Sequence, residues 1–179
     1  MKADGVNRWL TLAANLAVLI GICFLYVELR QNSELTRLQF GEDIRASFQE
    51  LELAMFDEKA AEAWKKSVFD PASLTLSEIR ILDGYYGTVM LMARRIWTLE
   101  DAGLLPVGAT EQNFRSVVDY FFGNEFAKAW WSYEGSTWTP EMVRIVGPII
   151  EEVDENVNKT KYLNIQREVA SKDPAQDGG

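Results

Sequence analysis

The side chains that usually carry chemistry are scarce in this sequence, and that scarcity narrows its functions more than any motif does. There is no His in the chain. Ser-His-Asp and Cys-His nucleophile systems need an imidazole that titrates near neutrality. Most zinc, haem and helical di-iron sites use imidazole nitrogen, so no metal or cofactor is expected. Cys23 is the only cysteine and lies inside an apolar run, which excludes a disulfide within the chain and leaves the redox compartment open. Carboxylate chemistry remains, with Glu100-Asp101, Glu111 and Glu151-Glu152 as the candidate groups. Acids at helix ends are also ordinary capping and solubilising residues, which is the simpler reading of all of them.

Aromatic residues are the other resource. Tyr85, Trp97, Phe121 and Trp130 could line an apolar ligand pocket, although aromatics at helical spacing more often form a core. Arg94 and Arg95 are adjacent, about 100° apart on a helix, so one should reach solvent and the other find an acid; a structural ion pair is the plainer reading and ligand binding the sharper one. Phe126 and Trp130 are four apart and share a face, expected to pack near Tyr86 or Ile96, while Trp131 is turned away. Trp131 is therefore expected to be exposed, and to offer a partner or membrane-surface contact.

The elements that must position these residues begin with WLTLAANLAVLIGICFLYV, residues 9–27, which carries no charge. As a helix it measures about 28 Å, close to a bilayer's hydrocarbon thickness, with Trp9 and Tyr26 near its ends where amphipathic rings favour headgroups. A cleavable signal peptide is the rival reading, since Lys2 and Arg8 make a basic start, but the run is long for one and Glu28-Leu29-Arg30-Gln31 offers no small-residue cleavage site. A buried core helix is the other alternative. Lys and Arg flank both ends almost equally, so orientation rests on the ease with which a tail of residues 1–8 crosses, which places the domain in the cytoplasm.

Residues 28–157 read as an all-α domain, a small helical bundle into which the anchor continues. Phe40, Ile44, Phe48, Leu51 and Met55 form one helical face, a core stripe or else a partner-helix seam. Asp57 should cap a helix with Trp64 and Val68 inward, where Glu62 and Lys66 stand as an i,i+4 pair. Thr75-x-x-Glu78 is a capping box opening a central helix that closes at Gly103, in which Gly84 and Gly87 should admit a close neighbour. Thr110 should cap the next helix, which Gly123-Asn124 ends; a short helix then holds Phe126, Trp130 and Trp131. Thr139-Pro140-Glu141 has the order of a helix start, and Gly147-Pro148 should kink or split that last helix. Residues 158–179 turn polar and are expected to be a flexible tail, with Asn158-Lys159-Thr160 matching a glycosylation sequon. No clean alternation supports a sheet.

Three phrases in fixed order, Leu29-Arg30-Gln31-Asn32 after the apolar helix, Ile96-Trp97 leading to Gly103-Leu104-Leu105, and Phe126 with Ala129-Trp130-Trp131, resemble an uncharacterised family of bacterial single-pass inner-membrane proteins. The likeness runs over residues 16–157, with Phe126 spaced one residue wider from the tryptophans. It implies an inner-membrane location and a helical fold, and carries no activity or catalytic residues.

With 18 basic against 27 acidic residues and a net charge of -9, the chain repels phosphate backbones, and no basic stripe compensates, which excludes nucleic acid as a partner. Three functions remain in view. The first is a membrane-anchored interaction or assembly module whose partners are the lipid bilayer and either a second copy of itself or another membrane protein. The second is a membrane-tethered small-ligand sensor with an aromatic pocket. The third, weakest, is an enzyme built on carboxylates.

Overall fold

The computed structural model describes residues 2–172, with side chains from Arg8 onward. Seven α-helices and two single-turn helices succeed one another, with no strand among the described residues. The fold is all-α. It divides into two compact units, the first ending at Arg45 and the second beginning at Ala46, so residues 28–45, expected in the domain, go with the apolar segment.

In the first unit, α1 (Lys2–Ala54) begins at Lys2, so residues 2–8 of the expected separate tail belong to it. Among the described residues this is one helix long and apolar enough to cross a membrane, and none of its most apolar stretch is buried. Leu10, Leu12, Leu16, Val18, Leu19 and Ile22 are all exposed. Ser33 and Thr36 return their hydroxyls to the carbonyls of Leu29 and Asn32, at 2.9 and 2.8 Å, as such residues do when no other acceptor is near.

The second unit packs the last turns of α1 with α2 (Glu58–Phe69), α3 (Leu76–Asp101), α4 (Ala109–Phe122), α5 (Glu125–Glu134), α6 (Pro140–Glu152) and α7 (Val157–Ser171). α3 is central. It buries Leu82, Tyr85, Tyr86, Val89, Met90, Ala93 and Ile96, a stripe wide enough to take neighbours on more than one side. Its start is the capping box: the Glu78 N–H donates to Thr75 Oγ1 and the Thr75 N–H to Glu78 Oε2. Its end is a Schellman turn, where Gly103 takes φ +70° and the Leu104 and Gly103 N–H groups donate to the Leu99 and Glu100 carbonyls.

Several short helices are capped by residues from elsewhere in the chain. Thr110 does not cap α4 as expected. Gly108 is the N-cap, and the Glu100 carboxylate on α3 accepts from the Gly108 N–H at 2.6 Å, the Thr110 N–H at 2.8 Å and the Thr110 hydroxyl at 2.6 Å. These bonds hold its carboxyl below the usual range. At the other end of α6, the Lys128 ammonium from α5 donates to the last carbonyls, those of Ile150 and Glu151, the placement a helix C-terminus favours. Pro148 stays inside an unsplit α6. Thr139 is its N-cap, yet the hydroxyl is buried without a partner, and nothing in the structure explains that.

α7 corrects the expected flexible tail at residues 158–171. Its side chains are mostly polar, so it is held by specific bonds and not by an apolar face. Asn158 is buried, its N–H donates to the Gly123 carbonyl at 3.0 Å and its Nδ2 to the Tyr120 carbonyl at 2.9 Å. That closes the sequon to modification in the folded domain. Gly123 makes the approach feasible, since a Cβ there would lie 2.9 Å from Val157 Cβ. Gly84 and Gly87, by contrast, face no close neighbour. The remainder of the expected tail, residues 173–179, lies outside the described residues.

Glu62 pairs with Lys65 and not Lys66. Lys66 reaches the Glu78 carboxylate at 2.7 Å, a half-buried pair that ties α2 to the cap of α3. The Lys66 hydrogen bond, followed by those from Thr75, draws the Glu78 carboxyl from 4.5 to about 2. A carboxyl depressed on folding adds stability above its unfolded value, and that contribution is lost as pH falls through the folded value. The melting temperature should therefore drop more steeply for the native chain than for Glu78→Gln between pH 4.5 and about 2; parallel curves in thermal melts would remove Glu78 from the acid response.

Candidate functional site

The cleft with the densest chemistry lies among five helices of the second unit, around Glu52 of α1, Trp64 of α2, Tyr85 of α3, Tyr120 of α4 and Tyr162 of α7. Its volume is about 180 Å³. Three of these side chains sit beside a core position on their own helix. Glu52 comes after the buried Leu51, Tyr85 precedes the buried Tyr86, and Tyr120 precedes the buried Phe121. The helices are thus registered by their cores, and the adjacent residue turns towards the cleft.

Glu52 is the organising charge. Its Oε2 accepts from the Tyr120 hydroxyl at 2.8 Å and its Oε1 from the Tyr85 hydroxyl at 3.4 Å. Trp64 stands edge-on to Tyr85, 5.5 Å between ring centres, and stacks on Tyr120 at 6.0 Å, while its Nε1–H donates to the Tyr162 hydroxyl at 3.2 Å. The Lys161 ammonium lies 5.3 Å from the centre of the Tyr120 ring. Burial first, and the negative charge of Glu52 second, push the Tyr85 hydroxyl far up. Burial and the hydrogen bond to Glu52 do the same for Tyr120. Both phenols are held as neutral donors, the opposite of what a tyrosine base or nucleophile requires. The arrangement is suited to holding a molecule and not to moving its protons.

Of the residues singled out in sequence, only Tyr85 lines this cleft. Phe121 is buried beneath it, 5.7 Å from Tyr85 and stacked on Phe48. Trp97 is half-buried against the core. Trp130 lies on Tyr86 at 5.4 Å, with Phe126 at 6.0 Å from the same ring, as the four-residue spacing indicates, and its Nε1–H donates to Asp83. Of the four rings expected to line a pocket, Tyr85, Phe121 and Trp130 are buried in the core. Arg94 and Arg95 are both exposed on α3, so neither is the buried partner expected of the pair.

Trp131 is the clearest correction. It is 8% exposed, the same as Trp130, and offers no surface contact. Gly135 and Gly147 account for it. A Cβ at Gly135 would meet the Trp131 ring at 3.2 Å and one at Gly147 would meet it at 3.6 Å, so the indole fills the space those two glycines leave between α5 and α6.

Three of the candidate carboxylates are engaged in structure. Glu100 caps α4, and Glu111 and Glu152 both bind Arg115, at 3.0 and 2.8 Å. Among the described residues no three His, Cys, Asp or Glu side chains gather as a metal set. Glu52, Trp64, Tyr120 and Tyr162 went unread as a site because Glu52 sits in a stripe of core residues, Tyr120 in an aromatic run, and Tyr162 in the segment expected to be unstructured. The available signal was an acid interrupting an apolar face at Leu51-Glu52-Leu53.

No protein-family model, no curated protein and no solved structure matches the chain.

Two outcomes check this geometry. Trp131→Ala should destabilise the domain as much as Trp130→Ala, each by about 3–5 kcal/mol, read as loss of the cooperative thermal transition. Glu52→Gln should let Tyr85 and Tyr120 ionise at lower pH, because removing the charge removes one cause of their raised values; an unchanged alkaline titration of phenolate absorbance would show that burial alone sets them.

Proposed function

We propose that the chain is a membrane-anchored binding module: a single apolar span in the bacterial inner membrane holds a helical domain that recognises a partner and does not transform it. The observation that carries the reading is the fully exposed apolar surface of α1 over residues 9–27, which only a lipid or protein environment satisfies. The partner favoured for the span is a second copy. Asn15 in hydrocarbon gains about 0.6–2 kcal/mol from a hydrogen-bonding neighbour, and Gly21 has open space where its side chain would be. The domain lies on the cytoplasmic side, opposite the residues before Trp9.

A second reading, a tethered small-ligand sensor, is favoured by the cleft at Glu52. It relocates the aromatic pocket to Trp64, Tyr120 and Tyr162, and keeps Tyr85.

In a Cys23→Ser background, single cysteines at Gln49 and Asp4 report on the two sides of the span. Gln49 is exposed on α1. An impermeant thiol reagent applied to intact cells should label Asp4→Cys and spare Gln49→Cys; equal labelling of both would sink the single span, and labelling of Gln49→Cys alone would reverse the orientation.

A further inference from the structure

We infer that the Glu52 cleft is a site for a small quaternary ammonium ion, of the trimethylammonium class, seated against Trp64 and Tyr162 with Glu52 as its counter-charge. This rests on the ligand-binding reading of the cleft and adds the chemical class of the ligand.

Three observations carry it. The first is an unbalanced charge. No Lys or Arg pairs with Glu52 among the described residues; the paired acids of the domain, Glu62, Glu78, Asp83, Glu111, Glu152 and Glu168, each hold a cation. Glu52 holds two phenol hydroxyls instead, which orient a carboxylate but do not neutralise it. The second is the wall. Aromatic faces attract cations through their quadrupole, and Trp does so best. Lys161 already stands over Tyr120, leaving Trp64, Tyr162 and the 79% exposed Phe56 at the rim as the rings offered to a ligand. The third is size. About 180 Å³ equals the share of roughly six waters, suited to a compact head and not to a nucleotide or peptide.

The hydrogen-bonding pattern favours methylated over free ammonium. An –NH3+ group is strongly hydrated and needs several acceptors to replace its water. One lone pair on each Glu52 oxygen is taken by a phenol, and one on the Tyr162 hydroxyl by Trp64, so the cleft offers few acceptors to an –NH3+ head. A quaternary head donates no hydrogen bonds and asks only for charge and aromatic surface. Anionic ligands are rejected by Glu52 itself.

The test uses the full chain in a maltoside detergent, free of choline headgroups, with calorimetry against tetramethylammonium and choline. Both should bind, and 3,3-dimethylbutan-1-ol, the uncharged shape mimic of choline, should bind at least about tenfold more weakly. Glu52→Gln and Tyr162→Leu should each weaken choline binding about tenfold, Trp64→Phe less, and Glu111→Gln not at all. Retention of the native melting transition in Glu52→Gln and Trp64→Phe separates lost binding from lost folding. Displacement of choline by a soluble short-chain phosphatidylcholine assigns the head to a lipid, and no displacement assigns it to a free solute; either supports the class. Equal binding of the neutral mimic, sensitive to Tyr162→Leu, would overturn the cationic class while leaving a ligand cleft. No binding of either cation, or binding indifferent to Glu52→Gln and Tyr162→Leu, would overturn the site.

Discussion

Tyr86 sits in the middle of α3 with its ring enclosed and its hydroxyl out of reach of water, and the domain is arranged around giving that hydroxyl a partner. The partner is Asn124, whose Nδ2 donates to the Tyr86 oxygen at 3.0 Å. The same amide accepts the Ala127 N–H at 2.9 Å through Oδ1 and so starts α5. One buried side chain therefore satisfies the centre of the core and sets the direction of the helix that covers it. Leaving either group unpaired costs about 1–3 kcal/mol, a large share of a small domain's margin. Phe122, Phe126 and Trp130 then close on the Tyr86 ring at 5.4 to 6.0 Å, in tilted arrangements that aromatic quadrupoles favour.

The outer helices obey a related rule. α4, α5 and α6 are each 10 to 14 residues long, marginal as isolated helices in water. Orphan end groups of α4 and α6 are met by tertiary partners: Glu100 from α3 at the start of α4, and Lys128 from α5 at the end of α6. A cap supplied by another helix holds only while the two are packed together, so secondary and tertiary structure are coupled at these ends. α7 is the extreme case, with Asn158 inside and little else buried.

The same coupling divides the features legible in sequence from those that were not. The apolar helix, the Asp57 cap, the Thr75–Glu78 box and the Gly103 stop are local, each written within a few consecutive residues or one unbroken run, and each forms as read. The placement of Phe126 and Trp130 on Tyr86 came from spacing alone. Trp131 did not, because its burial depends on two glycines, one four and one sixteen residues away, making room for it. Lys66 likewise had a partner at i−4 and took one twelve residues on. The cleft was the least legible part, since its five side chains come from five helices and share no spacing.

The contrast between Glu52 and the acids that hold a cation or a helix end gives the domain its functional asymmetry. Carboxylates bound to Lys or Arg, or to helix N–H groups, have their charge answered and serve the fold. The Glu52 carboxylate is answered by phenols, whose own ionisation its charge suppresses, and it lies in a recess lined by aromatic rings. Its position on the last turn of α1 also means that one helix carries both the apolar stretch of residues 9–27 and the one acid lining the cleft. If the span lies in a bilayer, as proposed, the charge that selects the ligand and the segment that fixes the chain to the membrane are parts of a single secondary-structure element.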